Sequence, residues 1–261
     1  MLFVKLRVMI TLLVSSKTMV PKKVPFELKA TQPLFINEAS ALNESLSKLS
    51  KTELKKLMHI SDNLAGEVKS KVDAWKKIDP YPAWLLFSGD VYRGLVAETL
   101  DKEDFEWAQN KVWTLSGMYG IARPLDGIKP YRLEAAFKLQ VDGKKNIYEF
   151  WADKIAEEIE DGTVINLSSE EYIKLIRKSY SGEIITPLFL QDRKSGVKFE
   201  AVHAKVARGM MARWIIKNKI DDPAKLKEFE EDGYMFDELR SSELEPVFIR
   251  KSEGVMKIVK N

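Results

Sequence analysis

The apolar positions of this chain fall into short blocks whose spacing predicts alternating strands and helices. Residues 8–14 (VMITLLV) form an apolar run, rich in Val, Ile and Leu and closed by Ser15 and Ser16, which predicts a buried strand. A Pro- and Lys-rich loop (Pro21, Lys22, Lys23, Pro25) and a polar helix ending near Leu49 follow. Ser50 and Glu53 have the spacing of a capping box, which opens a short helix through Met58. Leu64, Val68, Val72 and Trp75 recur at helical spacing, so a second helix is expected over residues 62–77, stopped by Pro80 and Pro82.

Further along, residues 84–87 (WLLF) predict a short strand, and residues 101–113 a helix with acids in its first turn. Residues 136–141 and 146–150 flank Asp142-Gly143 and predict a hairpin. A helix over 151–160, a strand over 163–167 and a helix over 170–178 capped by Ser168 come next. Strands near 183–190 and 198–202 flank a turn at 194–196, a helix covers 204–219, and edge strands are expected at 245–251 and 254–259. Together these predict a mixed α/β (α+β) fold: a single domain over residues 1–261, with a mixed β-sheet core flanked by helices.

Composition sharpens this. The 261 residues are 45% hydrophobic, enough for one sizeable core, and 31% charged, which argues against disorder. There are no cysteines, so disulfides, thiolate metal sites and Cys nucleophiles are excluded and a reducing compartment fits. His59 and His203 are far apart, so neither a metal site nor a cofactor is expected. Lys5 and Arg7 ahead of the first apolar run give a leader-like look, but the run is short and lacks an A-x-A site. It also falls below the roughly 20 residues of a membrane span. A cytoplasmic location without membrane contact is expected.

Net charge is only +3, yet it is unevenly placed. Residues 201–220 carry Lys205, Arg208, Arg213, Lys217 and Lys219 and no acid, whereas residues 221–245 carry ten acids. A basic face beside an acidic region suits an anionic partner such as nucleic acid; two ordinary solvated faces would look the same.

Three segments are candidates for chemistry. In the first, residues 54–65 (LKKLMHISDNLA), apolar residues at 54, 57, 60 and 64 and a small Ala65 resemble the helix-hairpin-helix pattern L-x-x-L-x-G-h-G-x-x-x-A. Such an element aims backbone amides and a helix N-terminus at a DNA phosphate, binding without reading bases. His59 and Ser61 occupy its two glycine positions; Ser61 can cap the second helix, and Lys55, Lys56, Lys69 and Lys71 lie close in sequence. A plain helical corner with a capping serine explains the same residues.

In the second segment, Lys205, Arg208, Gly209 and Arg213 share one side of a helix. A mid-helix glycine costs about 1 kcal/mol against alanine, so a phosphate, a ligand or a neighbouring helix comes close there. In the third, residues 115–134 (LSGMYGIARPLDGIKPYRLE), glycines and prolines fix turns that hold Arg123, Asp126, Arg132 and Glu134. The arginines either bind an anion or pair with the acids. Asp90, Tyr92 and Arg93 follow the 84–87 run, where ligands of α/β proteins often sit.

Those blocks, together with Met58–Gly66, Phe87–Leu95, Tyr148–Trp151, Ile165–Tyr172 and Lys205–Arg213, resemble the peroxide-stress protein YaaA family over nearly the whole chain. The family opens with a strand and S-P-A-K-T; here Ser15-Ser16-Lys17-Thr18 keeps the lysine without the proline, and Met9 is an alternative start. The resemblance implies an oxidative-stress protein that limits unincorporated iron during peroxide exposure, with a helix-hairpin-helix element and a basic cleft that bind duplex DNA. It supplies no catalytic residues.

Two functions follow as expectations. One is sequence-independent DNA binding through Lys55, Lys56, His59, Ser61, Lys69 and Lys71, with Lys205, Arg208 and Arg213 in a cleft. The other is an enzyme acting on a small anionic substrate held by Lys17, Asp90, Tyr92, Arg93, Arg123, Asp126, Arg132 and Glu134.

Overall fold

Residues 8–159 and 162–251 are described by a computed structural model. The strand Val8–Val14 lies at the centre of a five-stranded sheet in the order Gly120–Ala122, Val112–Ser116, Val8–Val14, Gly162–Asn166, Glu183–Ile185. It pairs in parallel with both neighbours, with Leu12 opposite Trp113 on one side and Asn166 on the other. Only Gly120–Ala122 runs antiparallel, so the sheet is mixed. Met9, Ile10, Thr11, Leu12 and Leu13 are all buried, as a strand covered on both faces requires. The chain leaves this strand toward one side, to Val112–Ser116, and later crosses to the other, to Gly162–Asn166. The carboxyl end of the central strand is therefore the point where the strand order reverses.

A second sheet has the order Gly196–Lys198, Leu188–Arg193, Val247–Arg250, Tyr234–Phe236. Val247–Arg250, expected as an edge strand, is interior and pairs on both sides. All four of its residues are buried, and the Arg250 guanidinium is taken up by Asp232. The other expected edge strand, at 254–259, lies outside the described residues, as does the leader-like segment before Val8.

The helices Ile36–Ser47, Lys51–Met58 and Asp62–Asp73 follow the sequence pattern closely. Ser50 and Glu53 form the capping box in both directions, and a single 3₁₀ turn, Trp75–Lys77, ends the group. Other segments differ. Residues 84–87 are not a strand: Ala83–Leu86 is one helical turn, and only Phe87–Ser88 is extended, against Thr18–Met19. Trp84, Leu85, Leu86 and Phe87 are all buried, so their run carried no periodicity to tell turn from strand. The helix expected to reach Trp113 is Lys102–Ala108, and Trp113 belongs to the strand Val112–Ser116.

Around Asp142-Gly143 only the turn survives, as the bridge between Val141 and Lys144. Asn146 then caps the helix Ile147–Glu158 instead of starting a strand. Ser168 does not cap the next helix, Glu170–Ile173; its hydroxyl donates to Asn166 Oδ1 at 2.7 Å.

The long helix Ala201–Lys217 is anchored at its end by Asp104, whose side chain is 3% exposed and accepts from Lys217 at 2.8 Å and Lys219 at 3.0 Å. Burial alone would raise the Asp104 pKa, but the two ammonium groups and the Asp101 amide outweigh it and hold the carboxyl below its usual value. A folded-state pKa below the unfolded value of about 3.9 gives stability that is present above pH 4 and lost as pH falls through the folded pKa. Asp104→Asn should cost about 1–2 kcal/mol at pH 7. Thermal melts of mutant and wild type should converge as pH falls through the folded pKa of Asp104; a gap that persists in stronger acid would refute the assignment.

Candidate functional site

The loops that leave the carboxyl ends of Val8–Val14 and Gly162–Asn166 go to opposite sides and leave a crevice between them, the position where open α/β sheets bind ligands. A cavity of about 400 Å³ opens there. Ser15, Ser16 and Lys17 come from the first loop, and Ser169, Glu171 and Tyr172 from the second. The remaining wall is a pair of helices, Asp90–Leu95 and Ala201–Lys217, contributing Asp90, Val91, Tyr92, Lys205 and Arg208, with Glu134 closing the rim.

The helix pair explains the mid-helix glycine. A Cβ on Gly209 would lie 1.8 Å from the Val91 carbonyl oxygen, and one on Gly94 would lie 2.0 Å from that of Val206. The two backbones touch directly, and what comes close to Gly209 is the neighbouring helix. This packing brings Asp90 and Arg208, one from each helix, into the same cavity lining.

Most charges in the cavity are already matched. Lys17 Nζ stands 2.5 Å from Glu134, which also has Arg132 at 3.6 Å. Asp90 has Arg93 at 3.1 Å and Lys205 at 4.0 Å. Two groups are left over. Arg208 makes no hydrogen bond or ion pair among the described residues, its Nε is enclosed, and burial pushes its pKa down. Glu171 accepts from the Ala136 amide at 3.2 Å but has no ion pair among the described residues.

The tyrosines are neutral donors at physiological pH. Burial pushes the Tyr131 hydroxyl up to about 12 against the pull of Ser116 and Ser15, and raises Tyr172 and Tyr92 further. Tyr92 donates to the Val14 carbonyl at 3.2 Å, Ser116 and Tyr131 share a 2.6 Å bond, and Ser16 donates to the Ser88 carbonyl.

The structure thus brings Lys17, Asp90, Tyr92 and Glu134 together with Lys205 and Arg208, with Arg93 and Arg132 behind the two acids. Arg123 and Asp126 are elsewhere. Asp126 is fully buried and accepts from Arg123 through its backbone amide and guanidinium and from Thr31 Oγ1 at 2.7 Å, which makes it a structural knot. Arg213 donates to the carbonyls of Leu95 and Val96 and ties the helix pair together. Ser15, Ser16, Ser169, Glu171 and Tyr172 were not expected in the site. The available signal was that Ser15-Ser16 and Ser168-Ser169 each follow directly on an expected strand.

Of the residues read as a DNA contact, Lys205 and Arg208 line the cavity, whereas Lys55, Lys56, His59, Ser61, Lys69 and Lys71 lie apart from its walls. Lys51–Met58 and Asp62–Asp73 pack on each other through buried Leu54, Met58, Ala65 and Val68. His59 has a left-handed backbone (φ 52°), at a position where the pattern has glycine, and Ser61 caps the second helix at Leu64 N. Lys55, Lys56, His59 and Ser61 are exposed. Asp62 draws Lys51 to 2.5 Å and Lys55 to 3.7 Å, Lys69 bonds Asp73, and Lys56 and Lys71 form no ion pair among the described residues. Arg132 lines a small gap beside the helices Ile36–Ser47 and Asp62–Asp73, together with Val68, Lys71 and Val72, and has Glu134 at 3.6 Å.

The profile of the family described as peroxide stress protein YaaA matches residues 9–240. A UPF0246 protein of Maricaulis maris is 40% identical over 252 residues, covering 93% of this chain and 96% of its own. One of Clostridium perfringens is 39% identical over 253 residues, covering 93% of this chain and 100% of its own. No helix among the described residues is long and apolar enough to cross a membrane. With a single profile running across the central sheet, the crevice and the helix pair alike, this chain belongs to the peroxide stress protein YaaA family.

Proposed function

We propose that the protein acts in the peroxide stress response by binding duplex DNA along its phosphate backbone, with the turn at residues 59–61 as the contact. The supporting observation is the exposed turn. A left-handed His59 reverses the chain, and the Ser61-capped N-terminus of a twelve-residue helix then faces outward beside Lys55 and Lys56. A helix N-terminus offers unpaired amides and a partial positive charge to a phosphate. Asp62 opposes this, but it is exposed and shared by two lysines, so its field is largely neutralised. Bound this way, the protein would cover backbone otherwise open to iron-driven damage.

The test is the paired substitution Lys55→Glu and Lys56→Glu. Both side chains are exposed, so the fold should hold, while affinity for unrelated duplexes should fall together by about tenfold or more. The salt slope should shrink by up to about 2, near 0.9 for each phosphate that the two lysines neutralise. Unchanged affinity and slope would remove the turn as the DNA-binding element.

A further inference from the structure

The crevice at the end of the central strand makes a separate demand that DNA binding does not meet. Its volume, about 400 Å³, equals that of roughly thirteen waters at about 30 Å³ each. It lies near the lower end of the ~300–1,000 Å³ typical of small-molecule sites. Lys17 and Arg132 are matched by Glu134, and Arg93 and Lys205 by Asp90. Among the described residues of the lining, what remains is one cation, Arg208, and one carboxylate, Glu171, which do not pair with each other. A partly buried guanidinium with no partner loses hydration without compensation, and a planar fork of donors suits a carboxylate or phosphate. A simple anion would answer Arg208 while adding repulsion at Glu171.

We infer that this crevice binds a small bifunctional metabolite, its carboxylate or phosphate held by Arg208 and its amino or ammonium group held by Glu171. Lys17 and Lys205 stand at the mouth and draw the anionic end inward, each exchanging its present acid partner for the ligand. Tyr172 and Ser15, whose oxygens are 3.5 Å apart, offer neutral hydroxyls to the middle of the molecule. Val14 and Val91 supply apolar wall.

Two sources share this chemistry, and calorimetry on the full chain separates them. Adenosine monophosphate joins a phosphate to an exocyclic amine; L-glutamine joins a carboxylate to an ammonium group. Inorganic phosphate and acetate serve as single-function controls. At least one bifunctional probe is expected to bind tenfold or more tightly than its control. Arg208→Met should weaken that binding at least tenfold, and Glu171→Gln should erase the preference over the control while the melting curve stays as in wild type. Retained binding in Arg208→Met, or no bifunctional probe exceeding its control, would overturn the inference. The Lys55→Glu, Lys56→Glu protein should bind the probe as wild type does, so failure at either site leaves the other standing.

Discussion

Asp126→Ala is expected to destabilise the protein by about 3–5 kcal/mol, the cost of removing one partner from a buried ion pair. For a chain of this size that corresponds to a fall of roughly 6–20 °C in Tm. Asp126 has no exposed surface. Its Oδ2 accepts from the Arg123 amide at 2.8 Å, and its Oδ1 from Arg123 Nη2 at 3.0 Å and Thr31 Oγ1 at 2.7 Å. Its own backbone accepts from Ala83 N, and the neighbouring Leu125 amide is held by Gln109 Oε1. Four separate stretches of chain meet around this residue, two of them, Thr31 and Arg123, at the carboxylate itself. Alanine would leave the Arg123 amide, much of the Arg123 guanidinium and the Thr31 hydroxyl unpaired in a closed space, and nothing nearby can replace them. Asp126→Asn preserves the shape and one acceptor oxygen and should cost less. A change below about 1 kcal/mol by chemical denaturation would contradict this account of the segment.

Gly209→Ala should also destabilise, by about 2–3 kcal/mol, against the usual trend. In a free helix interior the same change would gain up to about 1 kcal/mol. Here the added carbon meets the Val91 carbonyl oxygen at 1.8 Å and the Leu95 amide nitrogen at 2.8 Å. Both are backbone atoms and cannot rotate away, so the helices must separate. Gly94→Ala should behave alike, since its Cβ would meet the Val206 carbonyl oxygen and the Met210 amide nitrogen. The two mutations open the same gap, so their effects should fall short of additive. A raised Tm for Gly209→Ala would mean that the helices are not in backbone contact.

These two residues also show what was and was not legible in the chain. The central strand could be read because six apolar residues, interrupted only by Thr11, sit between polar boundaries. The paired helices could be read because Ser50, Glu53 and Ser61 are local capping signals that need no tertiary partner. The defect at Gly209 was visible too, though not which neighbour required it. Reading failed where local signals were neutral or misleading. The buried 84–87 run has no polar face, and Val112–Ser116 continues an apolar pattern begun by a helix. Asp142-Gly143 makes its turn without strands to join. For the site, closeness in sequence misled: Arg123 and Asp126 were grouped with Arg132 and Glu134, yet only the latter pair reaches the crevice. Its walls come from residues 14–17, 89–92, 134, 169, 171, 172, 205 and 208, and only the sheet topology joins them.

That topology has a consequence during synthesis. The apolar strand Val8–Val14 emerges early, but its two partners are Val112–Ser116 and Gly162–Asn166. At about 5–20 residues per second, the second partner arrives roughly 8–30 s after the first strand. Until the first of them emerges the apolar strand has no neighbour to pair with, and until the second follows one of its edges stays open to other chains.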